Sequence, residues 1–373
     1  MSSLRVAVIG VGHLGRHHAR ILAGLDGVTL VAVADARIEQ ARAVAEPLGV
    51  EAVSDYRELI GKVDAVSIAV PTFLHREVAG FFLEAGVSSM VEKPLASSLQ
   101  EAEELVAIAN FSGATLQVGH IERFNPALAT LDGVRLRPKF ISAERLGTYT
   151  FRSTDIGVVL DLMIHDLDLV LSMNASEVVS VEAIGVSVFG KHEDVANARI
   201  RFEDGCVADL TASRASQSAA RKMRIWAAEG YATLDFGART ATFVRPSDLF
   251  RKGEIDLDGV DVTQPAAVKD YLFGKILRVD KVAVENRDQL TLELEDFVKA
   301  VKTGKAPRVT GEDGLRAIRV ADMILRSLES HAWEGSAEGP IGPLSLPDPM
   351  ADPIAGLPEP KLWRYRGARI SAD

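Results

Sequence analysis

The feature that most limits what this chain can fold into lies at its start. Val6-Ala7-Val8-Ile9 is an unbroken apolar run that ends in Gly10-x-Gly12-x-x-Gly15. An unbroken run of this kind suits a strand buried on both faces, which in turn demands helices above and below the sheet. Similar runs return at residues 28–34, 65–70, 87–91 and 115–118, with helical stretches predicted at 14–23, 72–85 and 99–110. Strand and helix in alternation predict a doubly wound parallel sheet of the α/β class, a Rossmann-type domain.

The rhythm changes after residue 122. One strongly apolar helix is predicted over 158–173, followed by β-rich segments at 178–188, 196–202, 207–213, 223–228 and 232–236. Short turns such as Glu203-Asp204-Gly205 favour hairpins, and helices are predicted at 289–302 and 311–330. This pattern predicts an α+β domain with a large, mostly antiparallel open sheet. The full length of 373 residues exceeds what one core usually supports. The expected division is 1–122 for a dinucleotide-binding domain, 123–333 for a substrate and oligomerisation domain, and 334–373 for a C-terminal arm. That arm holds 7 of the 15 prolines, and Trp363 and Tyr365 near its end favour docking over a free tail.

A net charge of −10 argues against broad nucleic-acid binding. The single cysteine, Cys206, forms no internal disulfide and fits a reducing, cytoplasmic setting. No signal peptide or membrane-spanning run is expected. Nor do the histidines form a metal-ligand pattern: His17, His18, His192 and His331 read as ordinary surface or structural residues.

The glycine loop has the context of a dinucleotide site. Its glycines allow a tight turn and close approach of backbone to a pyrophosphate, and helix amides from His13 and Leu14 onward face the phosphate charge. Asp35 follows Gly15 by twenty residues, at the end of the next strand. Its carboxylate can accept the adenosine ribose hydroxyls and repels a 2′-phosphate, so NAD is the expected cofactor. Arg37 is the residue that could admit NADP instead. Pro71, Thr72 and His75 follow one strand end, and Glu92, Lys93 and Pro94 follow another. Both places face the cofactor crevice, and Pro94 is a candidate for a cis peptide bond.

Within the predicted helix 158–173, Asp161, His165, Asp168 and Ser172 recur at i, i+4, i+7 and i+11. A polar stripe on a buried helix lines a cavity or a network, because buried charge is costly unless paired. These residues suit alcohol oxidation. His165 would remove the hydroxyl proton, Lys93 would stabilise the developing alkoxide, and Asp161 would hold the reacting group.

Together the Gly10–Gly15 loop with Asp35, Pro71-Thr72-x-x-His75, Glu92-Lys93-Pro94, Val118-Gly119 and Asp161-x-x-x-His165-x-x-Asp168 resemble the Gfo/Idh/MocA oxidoreductases, over residues 4–331. The resemblance implies an open antiparallel sheet through which dimers or tetramers form. It also places Lys93, Asp161 and His165 on the family's catalytic lysine, aspartate and histidine. Residues 119–126 and 161–166 look like one branch, which oxidises the 3-hydroxyl of UDP-N-acetylglucosamine to a ketone. An aminotransferase then aminates that ketone for lipid A or another surface glycan. His120 stands where the common family pattern has an aromatic residue. A diphosphate substrate would need cations, for which Arg123, Arg145, Arg152 and Arg214 are candidates. Two other readings stay open: an inositol or simple-sugar dehydrogenase, and a non-catalytic NAD-binding regulator.

Overall fold

The computed structural model describes residues 3–134, 136–150, 156–189, 192–255, 260–282 and 287–331. Arg152, Trp363, Tyr365 and the proline-rich arm 334–373 lie outside the described residues. Among those described, no helix is long and apolar enough to cross a membrane.

The first sheet has six strands: β1 (Leu4–Ile9), β2 (Val28–Ala34), β3 (Glu51–Val53), β4 (Ala65–Ile68), β5 (Ser88–Glu92) and β6 (Leu116–Gly119). Their order is β3-β2-β1-β4-β5-β6, and every neighbouring pair is parallel. The chain winds outward from β1 in both directions, so the crevice between β1 and β4 is the switch point where ligands bind in such sheets. Four helices connect these strands: α1 (Gly15–Gly24), α2 (Ile38–Leu48), α3 (His75–Glu84) and α4 (Leu99–Ser112). Both α2 and the three-residue β3 escaped the sequence reading. The edge strand is too short to show a period, and Pro47 interrupts the helical pattern near the end of α2.

The short helix α5 (Pro126–Ala129) leads into β7 (Pro138–Leu146), and α6 (Ile164–Met173) follows. Then come β8 (Val178–Val186), β9 (Val195–Phe202), β10 (Val207–Ser213), β11 (Ala220–Ala227), β12 (Gly230–Asp235) and β13 (Thr240–Pro246). After α7 (Asp248–Lys252) and α8 (Pro265–Tyr271), β14 (Leu277–Val282) completes the second sheet, in the order β14-β13-β12-β11-β7-β10-β9-β8. Among the described strands only β7 and β10 pair in parallel; the other neighbours are antiparallel. Along β9 buried and exposed residues strictly alternate, so one face meets the core and the other does not.

The last two helices return to the first sheet. Leu294, Phe297 and Val298 of α9 (Gln289–Thr303) share a core with Val6, Val8, Leu22 and Met90. By packing, α9 therefore belongs with the nucleotide-binding sheet, although it follows the second sheet in sequence. The long α10 (Gly311–Ser330) lies against α4 and β6 on one side and α6 and β8 on the other. It begins with a capping box in which Thr310 and Asp313 satisfy each other's backbone amides.

Gly314 lets α10 approach the first sheet. A Cβ there would lie 2.6 Å from Val118 Cγ2. Gly314→Ala is expected to cost about 1–3 kcal/mol by overpacking, read as a lower urea midpoint. Gly24→Ala, which meets nothing within 4 Å, serves as the matched control. An unchanged midpoint for Gly314→Ala would contradict this packing.

Candidate active site

At the first crevice, the backbone leaves no room for side chains. Gly10 has φ of +82° and its Cβ would sit 2.8 Å from the Ala69 carbonyl, while a Cβ on Gly15 would fall on the Gly10 carbonyl. Gly12 is different: the nearest atom to its Cβ position is Gln40 Nε2 at 3.9 Å, which leaves an open cradle above the loop. His13 and Leu14 are exposed there, and Arg16 Nη2 lies 3.3 Å from His13 Nδ1.

Asp35 is pinned beside the same loop. Its Oδ2 accepts from the Val11 amide at 3.1 Å and from Gln40 Nε2 at 3.2 Å, and Oδ1 accepts from the Arg37 amide at 3.0 Å. Carboxylate oxygens have capacity for further donors. An open glycine cradle with a fixed acid at its side fits a pyrophosphate and an adenosine ribose. Arg37 is 77% exposed and reaches only 3.8 Å from Asp35, so its side chain is free to turn outward.

Pro71 is exposed and Thr72 is half-buried, opening a 3₁₀ turn before α3. His75 is buried, with Nδ1 2.8 Å from the Pro94 carbonyl and Nε2 3.0 Å from the Val70 carbonyl. Burial lowers its pKa, and a neutral ring can donate to only one of the two carbonyls. The sequence reading expects a cofactor contact from His75; the ring instead braces two strand-end loops against each other. The Lys93–Pro94 peptide is cis.

Lys93 crosses from the first sheet to the helix before α6. Its Nζ donates to the Asp161 carbonyl at 2.7 Å and to Asp161 Oδ1 at 3.1 Å. Here the structure corrects the prediction of one regular α-helix over 158–173: Val159–Met163 is a π-helical turn that runs on into α6. Single π turns occur often at functional sites. The wider turn changes how Asp161 sits relative to His165, so the expected stripe is not one straight row. Ser172, at its far end, only donates back to the Leu169 carbonyl.

His165 stands next to this pair with its Nδ1 buried and unpartnered among the described residues. Burial, then Lys93, Arg145, His120 and Arg221, push its pKa well below the ordinary histidine value. The ring is therefore neutral at pH 7. His120 meets it edge-on, 6.5 Å between centroids, and both His120 nitrogens are buried without partners among the described residues. Burial lowers the His120 pKa too.

The arginines are divided between two jobs. Arg145, expected to meet substrate, is only 4% exposed and bridges Glu122 at 2.8 Å and Asp166 at 2.8 and 3.0 Å. Arg123 grips Asp168 through two bonds of 2.6 and 2.9 Å and reaches Asp313 at 3.5 Å. Arg214 binds Asp194 at 2.6 Å and the Ile156 carbonyl at 2.9 Å. All three are therefore committed to structural bonds. Sequence reasoning missed Arg221, an exposed residue of β11 that pairs in register with Arg145 and acts on His165. Its signal is topological: only the β7–β11 pairing brings it to the site.

Comparison with known proteins bears on this arrangement. Residues 4–120 match the model of an oxidoreductase family with an NAD-binding Rossmann fold, residues 133–233 match the GFO/IDH/MocA C-terminal domain, and residues 259–333 match a C-terminal alpha/beta domain of the oxidoreductase family. The chain is 35% identical to UDP-N-acetylglucosamine 3-dehydrogenase of Acidithiobacillus ferrooxidans, covering 88% of this chain and 99% of that one. The solved structure of that enzyme superposes with a TM-score of 0.77. Myo-inositol 2-dehydrogenase of Thermotoga maritima is 28% identical, over 87% of this chain and 96% of its own. Levoglucosan dehydrogenase, solved with NADH, shares the fold at 20% identity and a TM-score of 0.73, over 88% and 98% of the two chains.

The buried Arg145 bridge yields a stability prediction. Arg145→Met leaves Glu122 and Asp166 buried without their cation, at an expected cost of about 3–5 kcal/mol. Thermal unfolding at neutral pH checks it, and a loss below about 1 kcal/mol would match a surface pair instead.

Proposed function

The chain belongs to the Gfo/Idh/MocA oxidoreductases, a family of NAD-dependent dehydrogenases, and from that premise we propose that it oxidises the 3-hydroxyl of UDP-N-acetylglucosamine, or of a close UDP-sugar, to the ketone. The observation that carries the chemistry is the Lys93–Asp161 pair beside a neutral His165 whose Nδ1 has no partner among the described residues. The 35% identity over nearly the whole chain supports the choice of sugar.

Gly10, Gly12, His13, Leu14, Gly15 and Asp35 would hold the cofactor, with Pro71, Thr72 and Glu92 along the crevice. Asp35 favours NAD over NADP because a 2′-phosphate beside it is repelled. When bound, NAD⁺ supplies the hydride acceptor. His165, neutral at rest, takes the hydroxyl proton. The ammonium of Lys93, oriented by Asp161, stabilises negative charge as it grows on that oxygen. His120, buried against the His165 ring, would help to set the position of that ring rather than touch the sugar. With Arg123 and Arg145 committed to carboxylates, Arg221 is, among the described residues, an exposed cation suited to the diphosphate.

The keto product carries a carbonyl that an aminotransferase can convert to an amine, so we place such an enzyme next in sequence. We also assign the open face of the second sheet to self-association. Phe140 stacks on Trp226 there at 4.9 Å, Tyr231 meets Trp226 at a tilt at 5.0 Å, and Val179, Ile184 and Val279 are exposed.

NAD⁺ reduction with UDP-N-acetylglucosamine, with an aminotransferase and glutamate added to draw off ketone, tests the reading by absorbance of NADH. Turnover is expected, and Lys93→Met and His165→Asn each lower kcat by ~10²–10⁴-fold. No NADH from the nucleotide sugar but robust NADH from myo-inositol overturns the substrate. Arg221→Ala is expected to raise KM for the UDP-sugar ~10–100-fold with a smaller change in kcat, the loss of one charge-assisted bond. An unchanged KM would remove Arg221 from the substrate site.

A further inference from the structure

His18 lies on α1, one turn beyond the glycine loop, and is 0% exposed. Its neighbours in the core are apolar, so packing alone would favour a leucine or methionine there. Instead the ring makes two polar contacts with two different strands. Nδ1 lies 2.8 Å from Ser67 Oγ on β4. Nε2 lies 3.1 Å from Glu92 Oε1 at the end of β5, close but off the line of an ideal hydrogen bond. When the serine hydroxyl donates to Nδ1, the ring proton sits on Nε2 and faces the carboxylate. The other oxygen of Glu92 accepts from the Lys93 amide at 3.3 Å. His18 thus ties the glycine-loop helix to β4 through Ser67 and, through the charge of Glu92, to the backbone amide of Lys93.

A second acid lies near Glu92. Glu293 of α9 is fully buried, and both its carboxylate oxygens lack partners among the described residues. Burial, then Glu92, Asp168 and Asp296, push its pKa well up, which favours the protonated acid. Glu92 is the opposite case. Burial pulls its pKa upward, but His18 and then Lys93 outweigh burial and hold it below the ordinary carboxylate value. Of the two acids, Glu92 carries the charge.

We propose that His18 is a positioning residue for Lys93: through Glu92 it fixes the strand end that bears the lysine and locks it to the helix that opens at the glycine loop. The cofactor cradle and the ammonium that faces the reacting oxygen are then held in one rigid unit. Only the kinetic consequence rests on the role proposed for Lys93; the charge relation between His18 and Glu92 does not.

The test compares His18→Leu, His18→Gln and the double variant His18→Leu/Glu92→Gln in the full chain. Around Glu92 the remaining titratable groups are Lys93, His75, His120 and Glu293. With His18 gone, burial is opposed by Lys93 alone, and the folded pKa of Glu92 is expected to rise above its unfolded value. A carboxyl raised in this way contributes stability below its unfolded pKa and loses it as pH rises through the folded pKa. The deficit in Tm of His18→Leu against wild type is therefore expected to be small at about pH 5 and to grow towards about pH 8. The double variant lacks the same imidazole and differs from His18→Leu only at Glu92, so the Tm of His18→Leu is expected to fall below that of the double variant as pH rises over the same range. In turnover, His18→Leu is expected to lose ~10–100-fold in kcat, as for a misplaced catalytic group, with a smaller change in KM for NAD⁺. His18→Gln, whose amide can reach Glu92, is expected to restore most of it. A Tm difference between His18→Leu and the double variant that does not vary with pH overturns the proposal. So does an unchanged kcat in His18→Leu. The Tm comparison needs no substrate, so a failure of the UDP-sugar reading is told apart from a failure of this one. Should His18→Leu not fold at neutral pH, Glu92→Gln carries the kinetic comparison, with the same ~10–100-fold loss in kcat expected, and a kcat equal to wild type overturns the proposal.

Discussion

The Arg145 guanidinium lies between Glu122 and Asp166, with 4% of its side chain exposed. The three residues come from three parts of the fold: Glu122 belongs to the turn after β6, Asp166 to α6, and Arg145 itself to β7. Arg123 repeats the pattern one step along, from the same turn to Asp168 of α6. Two bridges therefore clamp α6 to the end of the first sheet. Buried charge of this kind tolerates little displacement, since losing one partner leaves the others unpaired in a poorly solvated site.

The clamp determines the electrostatics of the site. Asp166 and Asp168 are both spent on arginines, so neither is available to hold a proton on His165. Lys93 is taken by Asp161, and Arg145 and Arg221 add positive charge nearby. His165 is left as a half-buried imidazole, its Nδ1 buried, among cations, which favours the neutral, proton-accepting form. The π turn at Val159–Met163 belongs to the same arrangement, because it presents both the carbonyl and the carboxylate of Asp161 to Lys93.

Much of this was legible in the sequence, and the reasons for the misses are physical. The first sheet and its glycine loop follow from unbroken apolar runs, which only a doubly covered strand explains. Lys93, Asp161 and His165 stood out as charge on a strand end and on an apolar helix. Long-range pairing was not legible. Arg145 looked like a free cation because its partners are 21 and 23 residues away in sequence. Arg221 reaches the site only through the β7–β11 register. His18 read as an ordinary residue because Ser67 and Glu92 approach it from strands that sequence alone does not align. The π turn escaped because helical periodicity assumes 3.6 residues throughout.

The central claim is that the site holds His165 neutral by burial and by surrounding cations. Nitrogen NMR of the His165 ring, assigned by comparison with His165→Asn and followed from about pH 5 to about pH 8, tests it most directly, with the ordinary histidine value near 6.5 as reference. The account predicts a ring that stays neutral across neutral pH and titrates well below that value. A ring that protonates at or above the ordinary value would contradict it.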